Sequence, residues 1–342
     1  MAFLDEKGLA ELWSIITEWG ATDETIAMYG LNEHATPNTI FQKLAMPYGY
    51  YGFDITVQLP DGTPVSGVVL NGLEDFKGNT AETDENGRCA TAVSTETTVT
   101  VTINNHVGII DNTYTVNSTD EYAFTPNVIT VQPDSDLRLI TTSGEYRVVT
   151  SSPVDLCALG GGGNGGTGAD DVGAGGGGGG GYIENLLETT LSSNILKISI
   201  GAGGGGSTTI ADENNTILSA AGGANGAGGY HRTGGAGNGS GGNGGSNIGP
   251  YGTAGGAATG AVFNDASLGI KFGGGGGGGG FSKTQPGGGG SPFGGNGGGG
   301  DGVQGYAATG YGGGGGGGSF NGSCWGGAGY QGFVYVRVRY AQ

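Results

Sequence analysis

The sequence is short of the residues from which most catalytic and ligand-holding sites are built. It has three histidines, His34, His106 and His231, and none falls in an HExxH or HxH spacing, so a histidine-based metal site is not expected. Its three cysteines, Cys89, Cys157 and Cys324, lie far apart with no CxxC pair. That excludes the usual zinc and redox motifs and gives no disulfide framework; the odd count fits folding in a reducing compartment. Lysine and arginine total 12 against 30 acids, a formal net charge of −18 with no basic patch. Nucleic acids, which are held mainly by phosphate neutralisation, are therefore poor partners. No run approaches the eighteen apolar residues of a membrane span. No GxSxG elbow occurs, and no glycine run is followed by Lys-Ser/Thr or opens an evident helix. The adjacent acids Asp84-Glu85 and Asp170-Asp171 read as solvated turns rather than a glycosidase pair, and the Asp84–Gly87 turn lacks the spacing of a calcium loop. No catalytic residue, metal or cofactor is expected, and the chain does not read as an enzyme.

What the sequence has is glycine: 84 of 342 residues, about three times the usual share. Only 12 of them precede Cys157. Charge divides the same way. Residues 1–159 carry 22 acids and 6 bases, and residues 160–342 carry 8 and 6. The acidic half is accounted for by solubility and mutual repulsion.

Three segments follow. In residues 1–47, Leu4, Leu9, Leu12, Trp13, Ile16 and Trp19 fall near one face at helical spacing and predict a helix over 3–19, stopped by Gly20. It is too short to stand alone. It docks on its own domain, on a host particle, or on copies of itself. A polar connector follows, with a short helix around Asp23–Met28. This N-terminus is acidic and lacks a secretion signal, so release by lysis as part of a particle is expected.

Residues 48–132 change to strand language. Phe53–Leu59 and Thr98–Ile103 alternate with period two, and shorter runs recur between turn signals such as Pro60-Asp61-Gly62 and Asn71-Gly72. A small antiparallel β-sandwich is expected. In residues 133–342, strand-like runs at Leu137–Thr141, Glu145–Val149 and Val154–Leu159 lead into Gly160. From there glycine tracts alternate with apolar runs at Tyr182–Leu187, Ile195–Ile200, Ser207–Ile210, Thr216–Ala220, Ala261–Phe272 and Phe333–Tyr340. A further strand is read within Asn247–Phe272.

The longest glycine tracts, 175–181, 273–280 and 312–318, are similar in length. An isolated tract should stay loose, because ordering costs about 1–2 kcal/mol per residue and more for glycine. Several side by side change the balance. Backbones without Cβ atoms approach closely enough to bond one another as threefold extended helices, each seven or eight residues spanning about 22–25 Å. The final strand, Phe333–Tyr340, alternates cleanly and needs partners; Tyr146–Val149, Val154–Leu159 and Ile195–Ile200 are the candidates. The tracts are then long loops thrown out of a β-sandwich.

The run Leu59–Gly67 followed by Thr83–Arg88 resembles the transthyretin-like or Ig-like modules of bacterial surface proteins and phage fibres, usually spacers and sometimes sugar binders. Ser143–Val149, Pro153–Gly163, Gly175–Tyr182, Ile198–Ile210 and Gly332–Tyr340 together resemble the glycine-rich domain of phage tail and fibre proteins. A related arrangement occurs in anaplastic lymphoma kinase-type receptors. The resemblance implies a jelly-roll-like β domain carrying packed polyglycine II helices. The composition is similar to polyglycine-sandwich adhesins at the fibre tips of T-even-like phages. Phe3–Trp13 is similar to the N-termini of fibre-like proteins from phages of gut bacteria.

The expectation is therefore a mainly β virion protein in three parts: 1–47 for docking or oligomerisation, 48–132 as an Ig-like spacer, and 133–342 as the distal glycine-rich domain. It is a tail-fibre or receptor-binding protein, extracellular after host lysis. It meets virion proteins through its N-terminal helix and a bacterial surface glycan or protein at its tip, with trimerisation favoured. A purely structural virion component, a depolymerase and a bacterial surface protein are the rivals. Aromatic tips on a rigid base suit binding. Tyr230, His231, Arg232, Tyr251, Phe281 and Phe293 are the expected receptor contacts, with Trp325 and Tyr330 assigned to packing.

Overall fold

A computed structural model describes residues 51–75, 78–93, 97–119, 124–149, 151–168, 175–213, 215–228, 247–248, 251–257, 259–268, 272–280, 288–291, 293–299, 302–319 and 324–340. The expected helix over 3–19, the connector and the Asp23–Met28 helix lie outside these residues. The described chain is mainly β, with several sheets and only two short 3₁₀ turns. It forms two compact units, one of residues up to His106 plus Ile110–Gln132, the other of Val107–Ile109 plus the chain from Pro133 onward.

In the first unit, β1 (Tyr51–Gln58) lies between β4 (Arg88–Val93), antiparallel, and β8 (Phe124–Thr130), parallel. Its alternation turns Phe53, Ile55 and Val57 fully inward. A second sheet runs β3 (Thr80–Glu82), β2 (Val69–Glu74), β5 (Thr98–Ile103), β7 (Asn112–Asn117). It contributes Leu70, Val101 and Ile103 to the buried interior.

The second unit has two larger sheets. One runs β12 (Ile183–Thr189), β11 (Val154–Leu159), β18 (Phe333–Val338), β9 (Arg138–Ile140). The other runs β15 (Asn215–Ala220), β14 (Thr208–Asp212), β13 (Ile195–Ser199), β10 (Gly144–Val148) and β6 (His106–Val107), with Val107 belonging to this unit. Val154, Leu156, Ala158, Val334, Val336 and Val338 of the first sheet meet Val148, Leu196, Ile198, Ile210 and Ala220 of the second in one core. The opposite face of the first sheet, with Cys157, Leu159, Ile183 and Phe333, is covered by Val262, Phe263 and Phe272.

The final strand pairs with β11, one of its three expected partners, and with β9. Within the apolar run Ala261–Phe272, 3₁₀ turns stand at Val262–Asn264 and Ala266–Leu268, with Phe263 and Asn264 at φ 52° and 54°. Val262, Phe263 and Phe272 plug a core. The Asn185 side chain accepts from the Phe263 N–H at 2.7 Å and donates to the Ala261 carbonyl at 3.0 Å, taking backbone groups a strand would use. The strand expected within Asn247–Phe272 shrinks to a two-residue pair, β16 (Asn247–Ile248) with β17 (Tyr251–Gly252).

Candidate functional site

Strand β11 runs straight into Gly160, and its neighbours come with it while the repeat changes. In the sheet, Leu159 stands opposite Ile183 and Phe333. Beyond it, the N–H groups of Gly160, Gly163 and Gly166 donate to the carbonyls of Tyr182, Gly179 and Gly176 at 2.8–2.9 Å. Those of Gly162, Gly165 and Gly168 donate to Tyr330, Gly327 and Cys324 at 2.8–2.9 Å. Each neighbour is met every third residue, so a ladder of period two has become a lattice of period three. Gly175, Gly178 and Gly181 reach Gly318, Gly315 and Gly312 in the same way, and Gly176, Gly179 and Tyr182 reach Ala227, Ala224 and Ala221.

The three longest tracts bond mutually at the centre. Gly178 donates to Gly315 at 2.7 Å, Gly276 to Gly178 at 2.9 Å, and Gly314 and Gly317 to Gly274 and Gly277 at 2.9 Å. The reason for glycine is spatial. A Cβ on Gly163 would lie 2.1 Å from the Ala224 carbonyl oxygen, one on Gly314 2.1 Å from that of Gly178, and one on Gly316 1.9 Å from that of Asn296. No side chain fits at such positions.

Where a tract reaches the surface, amide side chains stand in for backbone. Asn164 Oδ1 accepts from the Gly329 N–H at 2.9 Å, Asn225 Oδ1 from Asn164 N–H at 2.7 Å, and Asn296 Oδ1 from Gly290 N–H at 2.7 Å. The same repeat sets which rings are exposed. Along 324–330, Cys324 and Gly327 point inward, whereas Trp325 and Ala328 point out. Trp325 is 65% exposed and Tyr306, on the adjoining segment, 59%. That segment is tied to its neighbours by Gly305 N–H donating to the Trp325 carbonyl and Tyr306 N–H to that of Asn296, both at 2.9 Å.

Of the six residues singled out from sequence, Tyr230, His231, Arg232 and Phe281 lie outside the described residues. Tyr251 sits in β17, paired with Ile248. Phe293 is at φ 68° and 36% exposed, its ring laid over Gly310. The assignment of Trp325 to packing is corrected: its place in the three-residue repeat, not its nearness to β18, turns it to solvent. Tyr330 is 41% exposed but stacks edge-on with Tyr311 at 5.4 Å, and Tyr311 in turn with Phe333 at 5.6 Å, so it does pack. Spacing by three, counted from the glycines bonded inward, is the signal that would have picked Trp325 and Tyr306 out.

The charged groups of this unit are structural in arrangement. Asp155 is fully buried on β11. It accepts from Arg337 at 2.6 Å, from Arg339 at 2.8 Å and from the Glu188 N–H at 3.0 Å. Burial pushes its carboxyl up, but the bonds from Arg339, the Glu188 N–H and Arg337 outweigh it and hold the group below the ordinary aspartate range. Burial pushes the Cys157 thiol up to about 12 and the Cys89 thiol of the first unit up to about 11. Such thiols are poor nucleophiles and poor metal ligands. Among the described residues, no group of three or more His, Cys, Asp or Glu side chains stands close enough to hold a metal, and no helix is long and apolar enough to cross a membrane.

Residues 141–339 match the model of a family described as a glycine-rich domain. A search of curated proteins finds no match.

Proposed function

This chain belongs to the glycine-rich domain family, and we propose, on the sequence resemblance and the lattice edge, that it is a fibre or receptor-binding protein of a phage particle, with the glycine-rich unit as the end that meets the host cell. In this reading the period-three lattice is a bundle of polyglycine II helices on a jelly-roll-like base. The first unit is an Ig-like or transthyretin-like spacer. The N-terminal segment docks to the virion or trimerises, and the protein reaches the outside by lysis. It binds and does no chemistry.

The observation that carries the proposal is the exposure of Trp325 and Tyr306 on a backbone bonded to its neighbours at every third residue. Rings held on an ordered base lose little freedom on contact, so more of the contact energy remains as affinity. Their surroundings favour an uncharged surface, since residues 302–336 hold no base.

The test is adsorption of particles carrying Trp325→Ala and Tyr306→Ala. Both side chains project into solvent, so assembly and thermal stability should be unchanged while adsorption to host cells falls at least tenfold. Unchanged adsorption overturns receptor contact at this edge. Release of fragments from host surface polysaccharide on incubation with the chain would overturn the non-enzymatic reading.

A further inference from the structure

Away from the lattice edge, an open cleft of about 330 Å³ runs along the start of β12, the outer strand of its sheet. Tyr182, Glu184 and Asn185 line it from the strand, and Thr259 and Asn264 from the segment opposite. Apart from Ile183 and Gly260, every lining residue carries a hydroxyl, an amide or a carboxylate. Among the described lining residues the only charge is Glu184, which stands beside Tyr182 and raises its phenol above the ordinary range.

The wall opposite the strand is held in a disfavoured shape. Phe263 and Asn264 are consecutive non-glycine residues at φ 52° and 54°, a region that bulky residues enter only when the surroundings compel it. Two contacts compel it here. Asn185 bonds Phe263 N–H, the Ala261 carbonyl and Asn264 Oδ1 at 2.7, 3.0 and 3.2 Å, and the Arg337 guanidinium lies 4.9 Å above the Phe263 ring. Core closure alone needs only Val262 and Phe263; the conformation also brings Asn264 to the cleft.

We infer that this cleft is a binding subsite for one neutral sugar unit, a hexopyranose or N-acetylhexosamine. Sugars present paired hydroxyls and an apolar ring face. Glu184 accepts from adjacent hydroxyls in charge-assisted bonds, Thr259 and Asn264 supply further donors and acceptors, and the Tyr182 ring offers a face. With a carboxylate and no base among the described lining residues, the site repels sialic acids, uronic acids and phosphorylated sugars. With almost no apolar lining, it offers no pocket to lipid chains or to the side chains of an added peptide strand. The source of the sugar, a cell-surface glycan, rests on the function proposed above; the chemistry of the cleft does not.

The full chain is titrated with glucose, galactose and N-acetylglucosamine and followed by saturation-transfer NMR. Transfer to the ring protons of at least one sugar is expected, with millimolar affinity. Glu184→Gln should weaken it at least tenfold, and Asn264→Gly likewise; glycine suits the positive φ and the Asn185 bonds to the Phe263 N–H and the Ala261 carbonyl remain, so the segment keeps its path. Transfer to none of the three sugars, transfer undiminished in both variants, or equal binding of sialic acid overturns the inference. Trp325→Ala should leave sugar binding unchanged. If particles with that substitution adsorb normally while sugar binding persists, the lattice-edge contact falls and this subsite stands. If adsorption falls but no sugar binds, the reverse holds.

Discussion

Replacing Gly314 by alanine separates a bonded lattice from a set of flexible linkers. In a linker the change is neutral or slightly stabilising, by about 0.4–1 kcal/mol, because alanine restricts the unfolded chain. In the structure the new Cβ would sit 2.1 Å from the Gly178 carbonyl oxygen, whereas real Cβ atoms come no nearer than about 3.0 Å, so one tract must move by about 1 Å. That movement breaks or stretches three bonds made at 2.7–2.9 Å: Gly314 to Gly274, Gly178 to Gly315 and Gly276 to Gly178. At about 1 kcal/mol each, less the unfolded-state gain, the net loss is about 2 kcal/mol. For a unit of this size that lowers the melting temperature by about 4–8 °C. Gly289→Ala is the matched control, since its Cβ would meet nothing nearer than Asn296 Oδ1 at 4.0 Å. Scanning calorimetry reads the difference. Amide exchange localises it, with protection lost in 175–181, 273–280 and 312–318 in the Gly314 variant alone. Equal melting temperatures for the two variants, or exchange in these tracts as fast as in an unfolded peptide in the parent chain, would refute the reasoning.

Three further outcomes follow from the packing. Asp155→Asn replaces the charged carboxylate shared by Arg337 and Arg339 with a neutral amide, whose NH2 cannot accept from them. Because both guanidinium groups are about a third exposed, the cost is about 2 kcal/mol, less than for a wholly buried pair. The folded-state pKa of Asp155 is depressed, so its contribution is present above about pH 4 and lost as pH falls through the folded value; acid titration of stability should show a shallower fall in the Asn variant. Tyr340→Phe takes a hydroxyl donor from the Gly108 carbonyl and should cost about 1 kcal/mol in chemical denaturation. All three cysteines are buried, so a thiol reagent at pH 8 should leave the native chain unlabelled and modify it only in denaturant; rapid native labelling would contradict the packing of Cys157 in particular.

The strands were legible wherever alternation meets a one-sided core. Thr98–Ile103 was read with its observed ends, and so was Val154–Leu159, although the latter is buried at every position and its Asp155 carries no sequence sign of the arginines that satisfy it. The partner of the last strand was legible as one of three, because a clean alternating terminus needs a sheet; that β9 takes its other edge was not. Val65–Leu70 is β-rich from its first residue, yet Pro64 bridges to Gln58 just before it and the ladder begins only at Val69. The plug made from Ala261–Phe272 was not legible, because apolar content alone does not distinguish a strand from a plug; the deciding partner, Asn185, is 76 residues from Ala261. The cleft was invisible for the same reason. For the lattice, tract length and purity pointed to side-by-side packing, but which tract adjoins which is fixed by where β11, β12 and β18 deliver their ends. The exposure of Trp325 follows its phase within the repeat, which its distance from the last strand does not reveal.

That phase gives the chain something like a reading frame. Gly175, Gly178 and Gly181 address one neighbour and Gly176, Gly179 and Tyr182 another. One residue added within this stretch would rotate everything after it by a third of a circle and deliver each amide to the wrong address. Three residues added together would restore every address one step further out. Growth and shortening of such a bundle should therefore be tolerated in triplets, as in a codon, and a single-residue insertion should act as a frameshift written in hydrogen bonds.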